Sequence, residues 1–129
     1  MKAIDTPVLL SILHDTPAAR ELLKGLRGEE LATTELNMFE LKRLAAEGPR
    51  SQHDSREGAL VRLRRRLTVL PISSDSVREA GRYLKTQGGR GDYQPLVWGT
   101  LSAAGCAEWI TTRAFAPPKG TFPFKVRII

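Results

Sequence analysis

Three carboxylates stand where a chain of alternating strands and helices can bring them together. Asp5 closes the apolar opening MKAI, Glu40 lies inside a helix pattern in NMFEL, and Asp92 stands where a helix resumes after a glycine-rich stretch. All three positions fall at the carboxyl ends of expected strands, the edge of a parallel sheet outside which ligands bind. Carboxylates gathered there repel one another unless a divalent cation neutralises them, and magnesium or manganese prefers such oxygen donors. A metal held in this way activates water and takes up charge on a phosphodiester. Three acids among 14 can also align by chance, and on spacing alone the safer reading of Asp5 is as the cap of the helix that follows it.

The second group of residues with chemical potential is cationic. Lysine and arginine number 20 against 14 acids, a net charge of +6 with an isoelectric point near 10.0. An excess of this size favours a polyanionic partner, and nucleic acid is the commonest one. In the run ALVRLRRRL, Ala59, Leu60, Leu63 and Leu67 share one helical face, with Arg62, Arg65 and Arg66 opposite and Arg64 at the border. Such a face is either solvated surface or a contact for phosphates. Cys106 follows a glycine turn with no neighbour suggesting zinc, and reads as a small buried residue. His14 reads as a helix-end residue and His53 as part of a polar connector, so neither is assigned a role.

The elements that must position these groups follow from periodicity. Residues 2–5 read as a short buried strand that turns at once into a helix, with Thr6 able to cap it and Pro7 in its first turn. Thr16 and Pro17 open a second helix, ended by Gly28. Residues 31–34 form a strand, and a third helix follows until Gly48 and Pro49. Residues 48–55 are a polar connector, and a fourth helix runs from Ser55 to about Arg66. Residues 67–72 are the next strand. Ser74 or Ser76 caps a fifth helix, with Val77, Ala80, Gly81 and Leu84 inward. Gly88, Gly89 and Gly91 make a connector around Arg90, and Asp92 stands at the N-cap of a sixth helix that Gly105 ends. Residues 108–112 form a strand, and alternation from Phe122 to Ile128 suggests a final edge strand. Strands alternating with helices imply an α/β sandwich, a mostly parallel sheet of about five strands with helices on both faces.

At 129 residues the chain is expected to form one domain spanning residues 1–129. No apolar run approaches the ~20 residues that span a bilayer, and no signal peptide is visible. The expectation is a cytoplasmic protein without a membrane partner.

The order of these motifs resembles the PIN domain family, most closely its small VapC-type toxin endoribonucleases. The resemblance rests on IDTPVLL, on NMFEL with its acid at Glu40, and on GRGDYQPLVWGTLSAAGC followed by EWITTR. It covers nearly the whole chain and implies a PIN-like three-layer sandwich. It also implies magnesium- or manganese-dependent cleavage of single-stranded or looped RNA by four acids at the carboxyl edge of the sheet. The chain departs from that pattern at the acids themselves. Gln94 stands in the slot of the third acid, with Asp92 two positions upstream, and Ala114 stands where the fourth acid or an asparagine follows Thr-Arg. Pro7 replaces an asparagine, and Trp98 and Gly99 replace two small residues.

Asp5 and Glu40 are therefore the expected metal ligands, with Asp92 as the third catalytic candidate. The cofactor is magnesium or manganese if the site is active, and none if it is not. Arg62, Arg65, Arg66, Arg90 and Arg113 are the candidate RNA contacts, and Tyr83, Tyr93 and Trp98 can either stack on bases or fill the core. The expected function is RNA or ribonucleoprotein binding with weakened or absent cleavage. The alternatives are an active endoribonuclease toxin using Asp5, Glu40 and Asp92, and a non-catalytic interaction subunit. Partners consistent with these readings are RNA, an antitoxin or other protein, and a second copy of the chain.

Overall fold

The computed structural model describes residues 1–85, 93–112 and 120–129. Within them the chain runs β1 (Lys2–Ile4), α1 (Thr6–Leu13), α2 (Pro17–Gly25), β2 (Leu31–Thr34), α3 (Glu35–Ala46), α4 (His53–Arg65), β3 (Thr68–Leu70), α5 (Ser74–Ala80), α6 (Gln94–Ala103), β4 (Glu108–Thr111) and β5 (Lys125–Ile128). The strands form one sheet in the order β3-β2-β1-β4-β5, and every pairing is parallel. Lys2 stands opposite both Leu31 and Glu108, which brings the carboxyl ends of the three central strands level.

Successive strand residues face opposite sides of the sheet, so each strand feeds two cores. Ile4 and Ile110 pack with Val8, Leu9, Leu26, Met38, Leu41, Leu60 and Leu63 from α1 to α4 and the turn after α2. Ala3 and Trp109 pack on the other face with Val97, Trp98 and Leu101 of α6, Tyr83 and Phe124. The result is the expected three-layer sandwich. Tyr83 and Trp98 belong to this second core, edge-to-face with ring centroids 6.1 Å apart. Of the three rings considered for base stacking, Tyr93 alone is exposed, at 61%.

Several boundaries differ from the expectation, each for a local reason. At α1 the structure chooses Asp5 over Thr6 as the cap, the reading that spacing made the safer one for Asp5: it is extended, and its side chain accepts from the Thr6 N–H. The helix α2 ends at Gly25, and Gly28 instead makes a turn at φ 85° before β2. Residues 48–55 are largely helical, with a 3-10 turn at Arg50–Gln52 leading directly into α4 at His53. The cap of α5 is Ser73, because Ser76 sits three residues on and returns the hydrogen bond. The helix α5 then tightens into a 3-10 turn at Gly81–Tyr83, which carries Tyr83 inward and leaves Leu84 exposed. Val77 is exposed as well, since Ser76 and Ala80 form the face that meets α6. The N-cap position of α6 is Tyr93. Asp92, expected there, lies outside the described residues. The last strand begins at Lys125, and Phe122 and Phe124 stack on each other in the aromatic core before it, 4.8 Å apart.

Candidate active site at the carboxyl edge of the sheet

The strand order reverses between β1 and β4: β2 and β3 extend the sheet to one side and β5 to the other. In a parallel sheet such a switch leaves a crevice at the carboxyl ends of the two central strands. Asp5 reaches the crevice from β1 and Thr111 from β4. The backbone N–H of Asp5 still bonds Ile110 O at 2.9 Å, so the carboxylate stands one residue beyond the strand on rigid backbone.

Asp5 is buried, at 8% exposure, and its carboxylate is held by donors from three elements. Oδ1 accepts from the Thr6 N–H at 2.9 Å and from Asn37 Nδ2 at 3.2 Å. Oδ2 accepts from the Thr111 hydroxyl at 2.7 Å. Asn37 is the hub of the crevice. Its Oδ1 accepts from Thr34 N–H and Thr34 Oγ1, closing a capping box at the start of α3, and its Nδ2 also donates to Thr6 Oγ1 at 2.9 Å. Thr33 adds a tie between β2 and β1, its hydroxyl donating to Ile4 O at 2.9 Å.

Glu40 lies one helical turn after Asn37 on the same side of α3 and is half-buried. Burial, and then the negative charge of Asp5, push its carboxyl above the usual range, while a hydrogen bond from the Thr6 side chain and the charge of Arg43 pull the other way. The structure thus brings Asp5 and Glu40 to one site around Thr6. Gln94 is the first residue of α6, the helix that leads into β4. Its Nε2 is buried and without a hydrogen-bond partner among the described residues. Among the described residues no group of three or more His, Cys, Asp or Glu comes together. Asp92, Arg90, Arg113 and Ala114 lie outside those residues.

The basic face of α4 is present: Arg62, Arg65 and Arg66 are all exposed. Arg64 is engaged with Glu35, its Nη1 donating to Oε2 at 3.1 Å. Arg66 lines a groove of about 500 Å³ with Arg20, Lys24, Arg27 and an apolar floor that includes Leu23, Leu26 and Leu63. This groove lies where the chain enters β2 and β3, and neither Asp5 nor Glu40 lines it. His14 is exposed at the end of α1, as expected. The thiol of Cys106 is buried, and that burial raises its pKa, which leaves it inert.

Asn37 and Thr111 are the site residues that motif spacing did not single out. The signal for Asn37 was available, because a Thr-x-x-Asn start places its side chain on the strand end, three residues before Glu40. Thr111 had no such signal, since only the pairing of β4 with β1 sets it beside Asp5.

Comparison with known proteins is consistent with this geometry. The PIN domain family profile matches residues 2–98. No curated protein sequence matches the chain at a significant level. Among solved structures, VapBC2 from Rickettsia felis bound to a promoter DNA fragment superposes with a TM-score of 0.78 at 14% identity, over 99% of this chain and 98% of that one. DNA-bound VapBC from Salmonella typhimurium gives 0.74 at 17% identity, over 97% and 95%. FitAcB from Neisseria gonorrhoeae gives 0.68 at 19%, over 98% and 96%. With the profile covering residues 2–98 and the same fold in these complexes, the chain belongs to the PIN domain family.

Proposed function

We propose that this PIN domain protein binds RNA or a ribonucleoprotein and cleaves it slowly or not at all, its acidic site having lost ligands. The observation that carries this is the donor set around Asp5. Hydroxyls and carboxamides (Thr6, Asn37, Thr111) surround it, Glu40 is the one other carboxylate acting on the same site among the described residues, and the third acid's slot holds Gln94. Asp5 and Glu40 would hold one magnesium or manganese ion; burial first and the Asp5 charge second raise the Glu40 carboxyl, and a bound cation would offset both. Such an ion, when bound, activates water and offsets charge on a phosphodiester. Two carboxylates hold it weakly, and few groups remain to orient the water.

The test is a labelled RNA pool with manganese, comparing the wild type with Asp5→Asn. The expected result is no metal-dependent cleavage above background in either. Robust wild-type cleavage that disappears in Asp5→Asn would make this an active endoribonuclease, with Asp5, Glu40 and Asp92 as its acids.

A second reading has its own observation. The groove beside Arg66 joins an apolar floor to a rim of Arg27, of Arg20 and Lys24 in ion pairs with Asp15 and Glu21, and of Glu29, which suits an amphipathic segment of a partner protein better than bare RNA. Structures of this fold include complexes of toxin with antitoxin. An antitoxin-like partner is thus compatible with RNA binding at the carboxyl edge. Stable co-purification with the product of an adjacent gene, lost on Leu23→Glu, supports it.

A further inference from the structure

We propose that Asn37 is a positioning residue that sets the Asp5 carboxylate of the site. The proposal rests on the reading of Asp5 as a working acid and adds what holds it in place. Asn37 is 2% exposed, and all of its side-chain polar capacity is directed. The orientation of its amide is dictated by its neighbours. The Thr34 N–H can only donate, so the oxygen faces Thr34; the Asp5 carboxylate accepts, so the nitrogen faces Asp5. Nδ2 also donates to Thr6 Oγ1 at 2.9 Å, so both of its protons are placed. One side chain therefore joins the end of β2 to the end of β1 and the start of α1.

Capping alone does not need an amide. The same reciprocal box at α5 is made by Ser73 and Ser76 with two hydroxyls, Ser76 Oγ accepting from Ser73 N–H at 3.0 Å. A hydroxyl at position 37 would satisfy Thr34 in the same way but could not also span to Asp5 and Thr6. The carboxamide is the group that accepts on one side and donates on the other.

The experiment is a double-mutant cycle in chelator-treated buffer, measured by thermal unfolding, of Asn37→Asp, Asp5→Asn and the pair. An acid in the first turn of α3 suits a cap and the helix dipole, so a capping role predicts little coupling to Asp5. Positioning predicts that Asn37→Asp sets acceptor against acceptor and lowers Tm by more than about 5 °C, and that Asp5→Asn raises Tm far more in that background than in the wild type. If Asn37→Asp does not accumulate as folded protein, recovery of a folded protein in the pair is the supporting result. Equal effects of Asp5→Asn in both backgrounds overturn the proposal, since a plain burial penalty is not relieved by changing Asp5. Asn37→Ser supplies an independent check: it should keep the cap while the side-chain amide signal that shifts on Thr111→Val in the wild type is lost. If no Asn side-chain amide signal responds to Thr111→Val or Asp5→Asn, Asn37 does not act through Asp5. The cycle uses neither RNA nor metal, so its failure and the failure of the proposed function are separate results.

Discussion

The hydroxyl of Thr111 donates to Oδ2 of Asp5 at 2.7 Å, joining the ends of the two central strands across 106 positions of chain. Both residues are buried, Thr111 completely. Thr111→Val keeps the shape and β-branched preference but leaves a carboxylate oxygen with one donor fewer. The expected cost is about 1.5–3 kcal/mol, the range for hydrogen bonds to charged groups. Urea unfolding checks it, and a loss under about 0.5 kcal/mol would mean that other contacts of Asp5 already suffice.

Gly99 sets how closely α6 approaches α5. A Cβ built there would lie 2.5 Å from the Ala80 amide nitrogen and 2.8 Å from its Cα, and would also press on the Ser76 carbonyl oxygen. These are backbone atoms that cannot rotate away, so Gly99→Ala must push the helices apart over buried Trp98. The expected loss is about 2–3 kcal/mol, as for an overpacked core. It should exceed that of Gly81→Ala, where nothing lies within 4 Å.

These two residues mark what could be read in the sequence. Asp5 and Glu40 were legible because each stands beside a strand end in a motif, and the α/β alternation and capping signals located the elements. The partners of Asp5 were not, since Thr111 reaches it only through the pairing of β4 with β1. The α5 face was misjudged for a related reason. Helical periodicity put Val77 and Leu84 inward, but the switch to a 3-10 turn at Gly81 changes the phase and buries Tyr83 in place of Leu84. A glycine against a facing helix leaves no periodic trace, so the role of Gly99 was invisible.

Glu35 supplies a pH dependence. Its hydrogen bonds from Arg64 hold the carboxyl below the usual range, burial opposes them, and the Arg64 charge adds to the lowering. A depressed folded-state pKa gives stability that is present above the ordinary glutamate range and lost as pH falls through the folded value. Both partners are largely exposed, so solvent screens the pair and its contribution is small. Glu35→Gln should be slightly less stable than the wild type at pH 7, and the difference should shrink as pH falls below the ordinary glutamate range. A difference that does not shrink on acidification would assign the loss to packing.

The basic face of α4 predicts salt-sensitive RNA affinity. If Arg62, Arg65 and Arg66 contact phosphates, affinity for a single-stranded RNA should fall steeply between low and moderate salt, and changing all three to glutamate should flatten that slope. Each lost contact should weaken binding by about 1 kcal/mol or more. An unchanged affinity and slope in the triple variant would reduce this face to solvated surface.

Gln94 carries the last prediction, which concerns the metal. It opens α6 with a buried Nε2 that finds no acceptor among the described residues. Gln94→Asp removes that orphaned donor and, if position 94 shares the site that holds Asp5 and Glu40, adds a negative charge there. Added negative charge has two opposite consequences. Without metal, three acids repel one another, and the variant should be less stable than the wild type by about 1 kcal/mol. With manganese the same charge becomes a ligand, and affinity should rise about tenfold, or about 1.4 kcal/mol. The net sign therefore reverses with metal: Tm below the wild type in chelator, above it in excess manganese. Adding Ala114→Asp to restore the fourth acid should widen the difference, and Asp5→Asn should abolish it. A Gln94→Asp variant whose Tm ignores manganese would show that position 94 does not share a site with Asp5 and Glu40.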